Sequence, residues 1–274
     1  SEPAQPISSG NPVAGVIPTA RPADFIPAIA VYRRHVRREL GAMLGDVGRL
    51  RAAVARGDLS ASKAAWLDAD AHYESIGAAY GAFGDLDAAI NGRPAGLQEG
   101  VRSRDFTGLH RVELALWERR STRDAAPAAA RLSRDVATLR RKVARMKIDP
   151  FEYSLRAHEV LEDALHLELS GAASPWSGSA LTALRANVRG TRVVLTSLAP
   201  LIARRDPARL ARARAALDRV AATVSARELP RWDEVPQRER ERIAGLTAAA
   251  AERLAYVPEL VDPRPPRPKK RVLG

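Results

Sequence analysis

The chain has 274 residues, of which 46% are hydrophobic, 5% aromatic and 28% charged, with a formal net charge of +12 at pH 7. That length suits one large domain or two small ones with a sizeable core, and the Ala-, Leu- and Val-rich apolar fraction favours helices over sheets. Zero cysteines exclude a disulfide framework, a thiolate zinc site, an iron–sulfur cluster and a cysteine nucleophile, and the lack of any run of about 18 apolar residues excludes a membrane-spanning helix.

In chain order, residues 1–22 read as a linker or a processed N-terminus. They are polar, carry Pro3, Pro6, Pro12, Pro18 and Pro22, and have no apolar core of an export signal. Apolar spacing of three and four then recurs almost everywhere and strict alternation almost nowhere. The first helix is expected over about 24–56, with Ile26, Ile29, Val36, Leu40, Met43, Val47, Leu50 and Val54 as its stripe. Gly57-Asp58 closes it, and Ser60 opens a second helix that runs through Trp66, Tyr73 and Tyr80 to Gly84. Residues 85–92 form a short helical turn, and a glycine-rich loop follows. Thr107 is placed to cap a helix through His110 and Glu113 to about Trp117.

Pro127 marks the start of the next helix, with Leu132, Val136, Leu139, Val143 and Met146 inward. Asp149-Pro150-Phe151-Glu152 is a start signal with capping residue, first-turn proline and following acid, for a helix reaching Ser170-Gly171. Three more are expected over about 179–199, from Asp206-Pro207 to near Glu228, and over about 236–256. The fold class is therefore all-α, about eight helices arranged as two antiparallel four-helix bundles. Residues 23–260 make up the helical unit and 261–274 a basic, proline-rich tail.

The positive charge does not point to nucleic acid. Five of the basic residues (Arg264, Arg267, Lys269, Lys270 and Arg271) lie in the tail. In the body arginines alternate with acids, as from Arg238 to Arg242, the pattern of solvated helix faces.

Four polar groups fall within helices or next to their ends. His110 and Glu113, three apart, share one helix face and can grip one ion between them; the same spacing is met equally by a buried His–Glu hydrogen bond. Gly108 before them leaves room for a close approach. Asp70 and Glu74 lie one turn apart on the second helix, and Asp85 and Asp87 sit in a glycine-flanked turn after it. His158, Glu162 and His166 recur every four residues beside Glu159, a spacing that also describes an exposed polar face. No zinc-protease helix is intact, because His158-Glu159-Val160-Leu161-Glu162 puts Glu where the second His belongs, and Leu114 follows Glu113. A di-iron helix pair needs Glu-x-x-His twice, and the chain offers His-x-x-Glu once. No Gly-x-Ser-x-Gly elbow, phosphate loop or dinucleotide fingerprint is present.

From His72 to Gly171 the chain resembles the imelysin-like family of bacterial extracytoplasmic proteins, in particular its EfeO/EfeM-type iron-uptake components. The resemblance rests on His72-Tyr73-Glu74, Phe83-Gly84-Asp85-Leu86-Asp87-Ala88-Ala89-Ile90, Phe106-Thr107-Gly108-Leu109-His110-Arg111-Val112-Glu113, Leu161-Glu162-Asp163, Leu169-Ser170-Gly171 and Asn187-Val188-Arg189-Gly190. The family's GxHxxE signature is satisfied by Gly108, His110 and Glu113, and the likeness extends over about Val31 to Leu260. It implies a pair of four-helix bundles with a metal site in a cleft, held by His110 and Glu113 with Glu74, Asp85, Asp87 and Glu162 as the further ligands. It also implies work beside a membrane iron permease and a haem peroxidase, outside the cytoplasm, either periplasmic or at the cell surface. Only about 22 residues precede the first helix, which fits the shorter form without a cupredoxin domain; the lipid-anchoring cysteine of some relatives is missing.

Carboxylates with one imidazole suit iron, zinc or manganese, and soft-metal sites are excluded by the absence of Cys and by two methionines at stripe positions. A metal-dependent peptidase is the second reading, because some relatives were classed as proteases, with Glu113 or Glu74 as its base. A polysaccharide-binding module is the third, with Trp66, Tyr73 and Tyr80 as stacking rings.

Overall fold

Acid side chains at helix starts and glycines at two crossings decide where the chain folds back on itself. The computed structural model describes residues 20–262; the body of the expected N-terminal linker and nearly all of the basic tail lie outside them. Among the described residues there are ten α-helices and no strand, so the all-α reading holds. The count exceeds eight because the short α3 (Asp85–Asn91) and a terminal α10 (Val257–Val261) are helices of their own. No described helix is long and apolar enough to cross a membrane.

The opening helix, α1 (Ile26–Ala55), buries Tyr32, Val36, Leu40, Met43, Val47 and Leu50 along one stripe. Asp58 rather than Ser60 starts α2 (Leu59–Glu74): its Oδ1 accepts from the Ala61 amide at 2.9 Å, satisfying a first-turn donor. This helix stops at Glu74 and does not run on to Gly84. The Ser75 carbonyl is taken by His35 Nε2 of α1 at 3.0 Å, the Ala79 amide bonds back to Ile76, and a tighter 3₁₀ stretch, Gly77–Ala82, follows. The heptad aromatics consequently belong to the core. Trp66 and Tyr73 are fully buried, and the Tyr73 and Tyr80 rings stack on each other with centroids 5.0 Å apart, which leaves no free ring face for a sugar between them.

The fourth helix, α4 (Gly108–Glu113), continues into a π-helical turn, Leu114–Glu118. Then α5 (Thr122–Lys142) begins before Pro127, which stands inside it, because Ser121 Oγ accepts from the Asp124 amide. The expected start at Asp149 is borne out: its Oδ1 accepts from the Phe151 and Glu152 amides, opening α6 (Pro150–Asp163). This helix too relaxes into a π turn, Ala164–Glu168. The remainder is α7 (Ala180–Ala203), α8 (Pro207–Thr223), again capped by its preceding Asp206, and α9 (Gln237–Leu254). Helix α1 packs on α2 and α5, and α4 on α5 and α2. Helices α6 and α8 each pack on both α7 and α9, and α7 also lies against α1 and α2. One apolar cluster runs through all of these contacts.

Two crossings depend on glycine. Gly108 has φ +76, and a Cβ there would stand 2.1 Å from the Ile90 carbonyl oxygen, so α4 starts directly against the end of α3. Thr107 holds the N-cap position, but its hydroxyl donates to the Ala89 carbonyl at 2.9 Å and not to its own helix. Gly190, in the middle of α7, would put a Cβ 2.3 Å from the Ser75 carbonyl oxygen, so the end of α2 touches the backbone of α7. Gly245, on the exposed side of α9, has nothing within 4 Å of its Cβ position. The same substitution should therefore act with opposite sign at the two helix-interior sites. Gly190→Ala is expected to lose about 2–3 kcal/mol to the forced separation, and Gly245→Ala to gain up to ~1 kcal/mol from helix propensity, both read by denaturant unfolding.

Candidate metal centre

Apolar stripes carry acids at several positions where the helical phase faces the core. On α2, Asp70 and Glu74 continue the line of Trp66 and Tyr73. On α4, His110 and Glu113 lie among Leu109, Val112 and Leu116. Glu168 closes the π turn of α6, in phase with the buried Ala157, Leu161 and Ala164. Asp70, Glu74, His110, Glu113 and Glu168 are all buried, Glu113 completely.

His110 and Glu113 are joined, Nδ1 to Oε2, at 3.0 Å. The other Glu113 oxygen accepts from the Trp176 and Ser177 amides at 3.2 and 2.8 Å and from the Ser177 hydroxyl at 2.8 Å. That loop is itself fastened by Arg231, which donates to the Trp176 and Ser177 carbonyls. With its Nδ1 proton committed to a carboxylate, the imidazole presents a lone pair at Nε2, and this buried atom has no hydrogen-bond partner. A carboxylate holding the far nitrogen is the arrangement that orients a histidine toward a metal ion.

A cavity of about 140 Å³ is lined by Glu74, Asp87, Asn91, Arg93, Glu168 and Asn187 among others; His110, Glu113 and Asp70 are not part of that lining, although the Glu113 and Asp70 charges reach Glu168 on its wall. Burial lifts Glu74 to about 7, with the Asp87 and Asp163 charges adding to it and the Arg93 charge and an Asn187 hydrogen bond opposing. Asp70 is pushed well above the ordinary carboxylate range by burial and by the Glu74 and Glu113 charges. Burial does the same to Glu168, reinforced by Glu74, Asp70 and Glu113. Burial also raises Asp87, against a hydrogen bond from the Tyr73 hydroxyl at 2.7 Å. One oxygen each of Asp70 and Glu168 is buried without a hydrogen-bond partner.

A second acidic cluster supplies the contrast. Burial raises Glu39 of α1 as well, but the His72 hydrogen bond at 2.8 Å and the His35 and Arg189 charges outweigh it and hold the group at about 2. Basic side chains from three helices, His35 and Arg38, His72, and Arg189, surround that carboxylate. Around Asp70, Glu74 and Glu168 the positive charge comes from Arg93 alone among the interactions that set their ionisation. The cluster around Glu39 is a finished ion-pair network, and the one around Asp70, Glu74 and Glu168 is short of positive charge. Its donor set, several carboxylates and one free imidazole nitrogen, fits a hard or borderline cation.

The expected ligands are divided by the structure. His110 with Glu113 is one pair, and Glu74 with Asp87 lines the cavity. Asp85 points to solvent in the first turn of α3, away from the cavity lining. Glu162 is on the outer side of α6, its side chain 47% exposed and 4.0 Å from His158; His166 is exposed too. Among the described residues no three His, Asp or Glu side chains are already drawn together around one point as a closed metal-binding set. Glu168, Arg93 and Asn187 were not singled out as ligands or neighbours from sequence. Glu168 had a readable signal, since an acid in phase with Leu161 and Ala164 must be buried, whereas Arg93 is brought in by a loop and leaves no periodic trace.

The imelysin family model, which bears the label peptidase M75, matches residues 28–257. The chain is 27% identical over 250 residues to "Iron uptake system component EfeM" of Pseudomonas syringae pv. syringae (strain B728a), covering 89% of this chain and 87% of that protein. It is 27% identical over 234 residues to "Iron uptake system component EfeO" of Escherichia coli (strain K12) and of Shigella flexneri, covering 84% of this chain and 62% of theirs. The chain thus spans less than two thirds of the EfeO proteins' length. With the family model matching most of its length, the chain belongs to the imelysin family.

Proposed function

We propose that this protein is the metal-capturing component of an iron-uptake system, working outside the cytoplasm and taking an iron ion as cargo between α2, α4, the π turn of α6 and α7. The observation that carries the reading is the unpartnered His110 Nε2 beside buried carboxylates with too little positive charge of their own. His110 and Glu113, with Glu74, Asp87, Asp70 and Glu168, are the proposed ligand pool; Asp85 and Glu162 are expected to take no part. Iron in either common oxidation state suits these donors, and zinc or manganese would compete. Delivery to a membrane permease, with a haem peroxidase as neighbouring component, is the partner set that the family resemblance implies. We read the helix contacts as two four-helix sets, α1, α2, α4 and α5 against α6 to α9. The cavity then lies on their seam, because Glu74 comes from one set and Glu168 and Asn187 from the other.

Binding to the folded state alone should raise the thermal midpoint. An ion at 100 times its Kd contributes about 2.7 kcal/mol, roughly 5–10 °C for a domain of this size. The His110→Ala, Glu113→Ala double variant and Glu168→Gln are expected to lose most of that shift and most of the metal found by elemental analysis, while Asp85→Asn and Glu162→Gln keep both. An unchanged melting curve with iron, zinc and manganese each in excess would overturn the reading.

The sign of the pH dependence follows from Glu74. Its folded value of about 7 stands above the ordinary 4.5, so between those values the folded, metal-free protein holds a proton that the unfolded chain has released. Metal-free stability should therefore decline as pH rises from about 4.5 through 7, while metal affinity increases over the same interval. Glu74→Gln should flatten the decline in a series of melts from pH 5 to pH 8. The peptidase label of the family motivates one further assay. Metal-loaded protein is expected not to cleave an unstructured protein substrate, and cleavage abolished by His110→Ala would instead establish the hydrolytic reading.

A further inference from the structure

Arg93 brings a positive charge to the wall of the carboxylate cavity. It follows Gly92 at the end of α3 and precedes Pro94, which restricts its backbone to extended conformations. Its side chain is 27% exposed, so it lines the cavity while reaching solvent. The guanidinium approaches Glu168 Oε1 only to 3.8 Å, too far for a hydrogen bond, and its Nε is buried with no partner. Arg231 differs on every count, since it donates two close bonds to carbonyls and pairs with Asp233. Arg93 therefore acts on the cavity through its charge, with little to hold it in one position. That charge opposes the upward shift of Asp70, Glu74, Asp87 and Glu168 alike.

We propose that Arg93, on the wall of the carboxylate cavity, is a built-in counter-cation of the metal-free protein and has to swing aside when a metal ion enters. This rests on the uptake reading above and adds what sets the strength of capture. A cavity of about 140 Å³ with Arg93 on its wall places any cation that enters it within a few ångströms of the guanidinium, and two like charges that close, out of bulk water, repel strongly. The partial solvent access of Arg93 gives the displaced guanidinium somewhere to go, because a long basic side chain keeps its stem on the protein while its head swings into water. In the metal-free state the same residue offsets the mutual repulsion of the acids. It weakens capture and eases release, the compromise a carrier requires.

The test compares wild type, Arg93→Gln and Arg93→Lys, by titration calorimetry with Mn²⁺ and Fe²⁺ under anaerobic conditions and by melting curves with and without metal. Arg93→Gln is expected to bind about tenfold tighter or more, to melt at a lower temperature than wild type without metal, and to show the larger metal-induced shift. Arg93→Lys keeps the charge and should stay near wild type in both measurements. Arg93→Gln binding no tighter than wild type, or more weakly as it would if the guanidinium anchored an anion beside the metal, overturns the counter-cation role while leaving capture intact. Failure of wild type and Arg93→Gln alike to bind either metal overturns the uptake reading itself. In that event the metal-free melts still judge Arg93: an unaltered Arg93→Gln midpoint shows that it neutralises nothing.

Discussion

Buried carboxylates without enough positive charge are the constraint on which the rest of this structure turns. An ionised acid in an apolar interior is costly unless it is paired, and the fold contains both solutions to that problem. Around Glu39 the cost is met by His35, His72 and Arg189 from three helices, and the carboxyl stays charged far below neutrality. Around Asp70, Glu74 and Glu168 burial raises all three carboxyls, and among the described residues the basic group that opposes the shift of each is Arg93, 3.8 Å from Glu168. A protein selected for stability alone would have placed leucines there. Keeping acids in such positions makes sense if a cation is brought in from outside.

Backbone contacts then determine how near these groups come. At Gly108 the α4 backbone meets the end of α3, which sets the His110–Glu113 pair against the helix bearing Asp87. At Gly190 the α7 backbone meets Ser75, one residue past Glu74, and Asn187 one turn earlier reaches that same carboxylate. The two π turns fall directly after Glu113 and directly up to Glu168. Each inserts extra backbone into a helix next to a buried acid, a local irregularity frequent at functional sites. Such features sacrifice ideal helix geometry, and here they cluster on the elements that carry the acids.

Much of this was legible from residue pattern, and the failures have physical causes. The apolar stripes of α1 from Val36 onward, of α5 and of α7, and the Asp149-Pro150 start signal, obey local rules of period and capping; Ile26, put in the α1 stripe by the same spacing, is 65% exposed in the helix's first turn. His110 and Glu113 were found because both lie on one short helix. Glu162 enters as a candidate through the family resemblance, while its four-residue repeat with His158 and His166 reads as an exposed polar face, and its side chain is 47% exposed. The apolar residues Leu161 and Ala164 were the better guide to which acid turns inward. The end of α2 at Glu74 could not be read locally, since it depends on a histidine of α1 claiming the Ser75 carbonyl. Arg93 belongs to the same class, being placed by a loop whose path is decided by α3 and α4 together.

The ionisation of Glu74 bears on what kind of metal site the proposed one would be. A resident structural ion is held by ligands that are fully charged and closed around it, so that protons do not compete near neutrality. Here a carboxyl that titrates at about 7 lines an accessible cavity, and the described side chains do not form a closed coordination shell before the ion arrives. For the proposed capture of an ion, protons on these acids and the Arg93 guanidinium would both compete with it, and each would make binding weaker and more readily reversed than the number of carboxylates alone suggests. Those properties suit cargo that must be surrendered to the next component. They would be a defect in a catalytic or structural centre, which loses its function whenever its ion leaves.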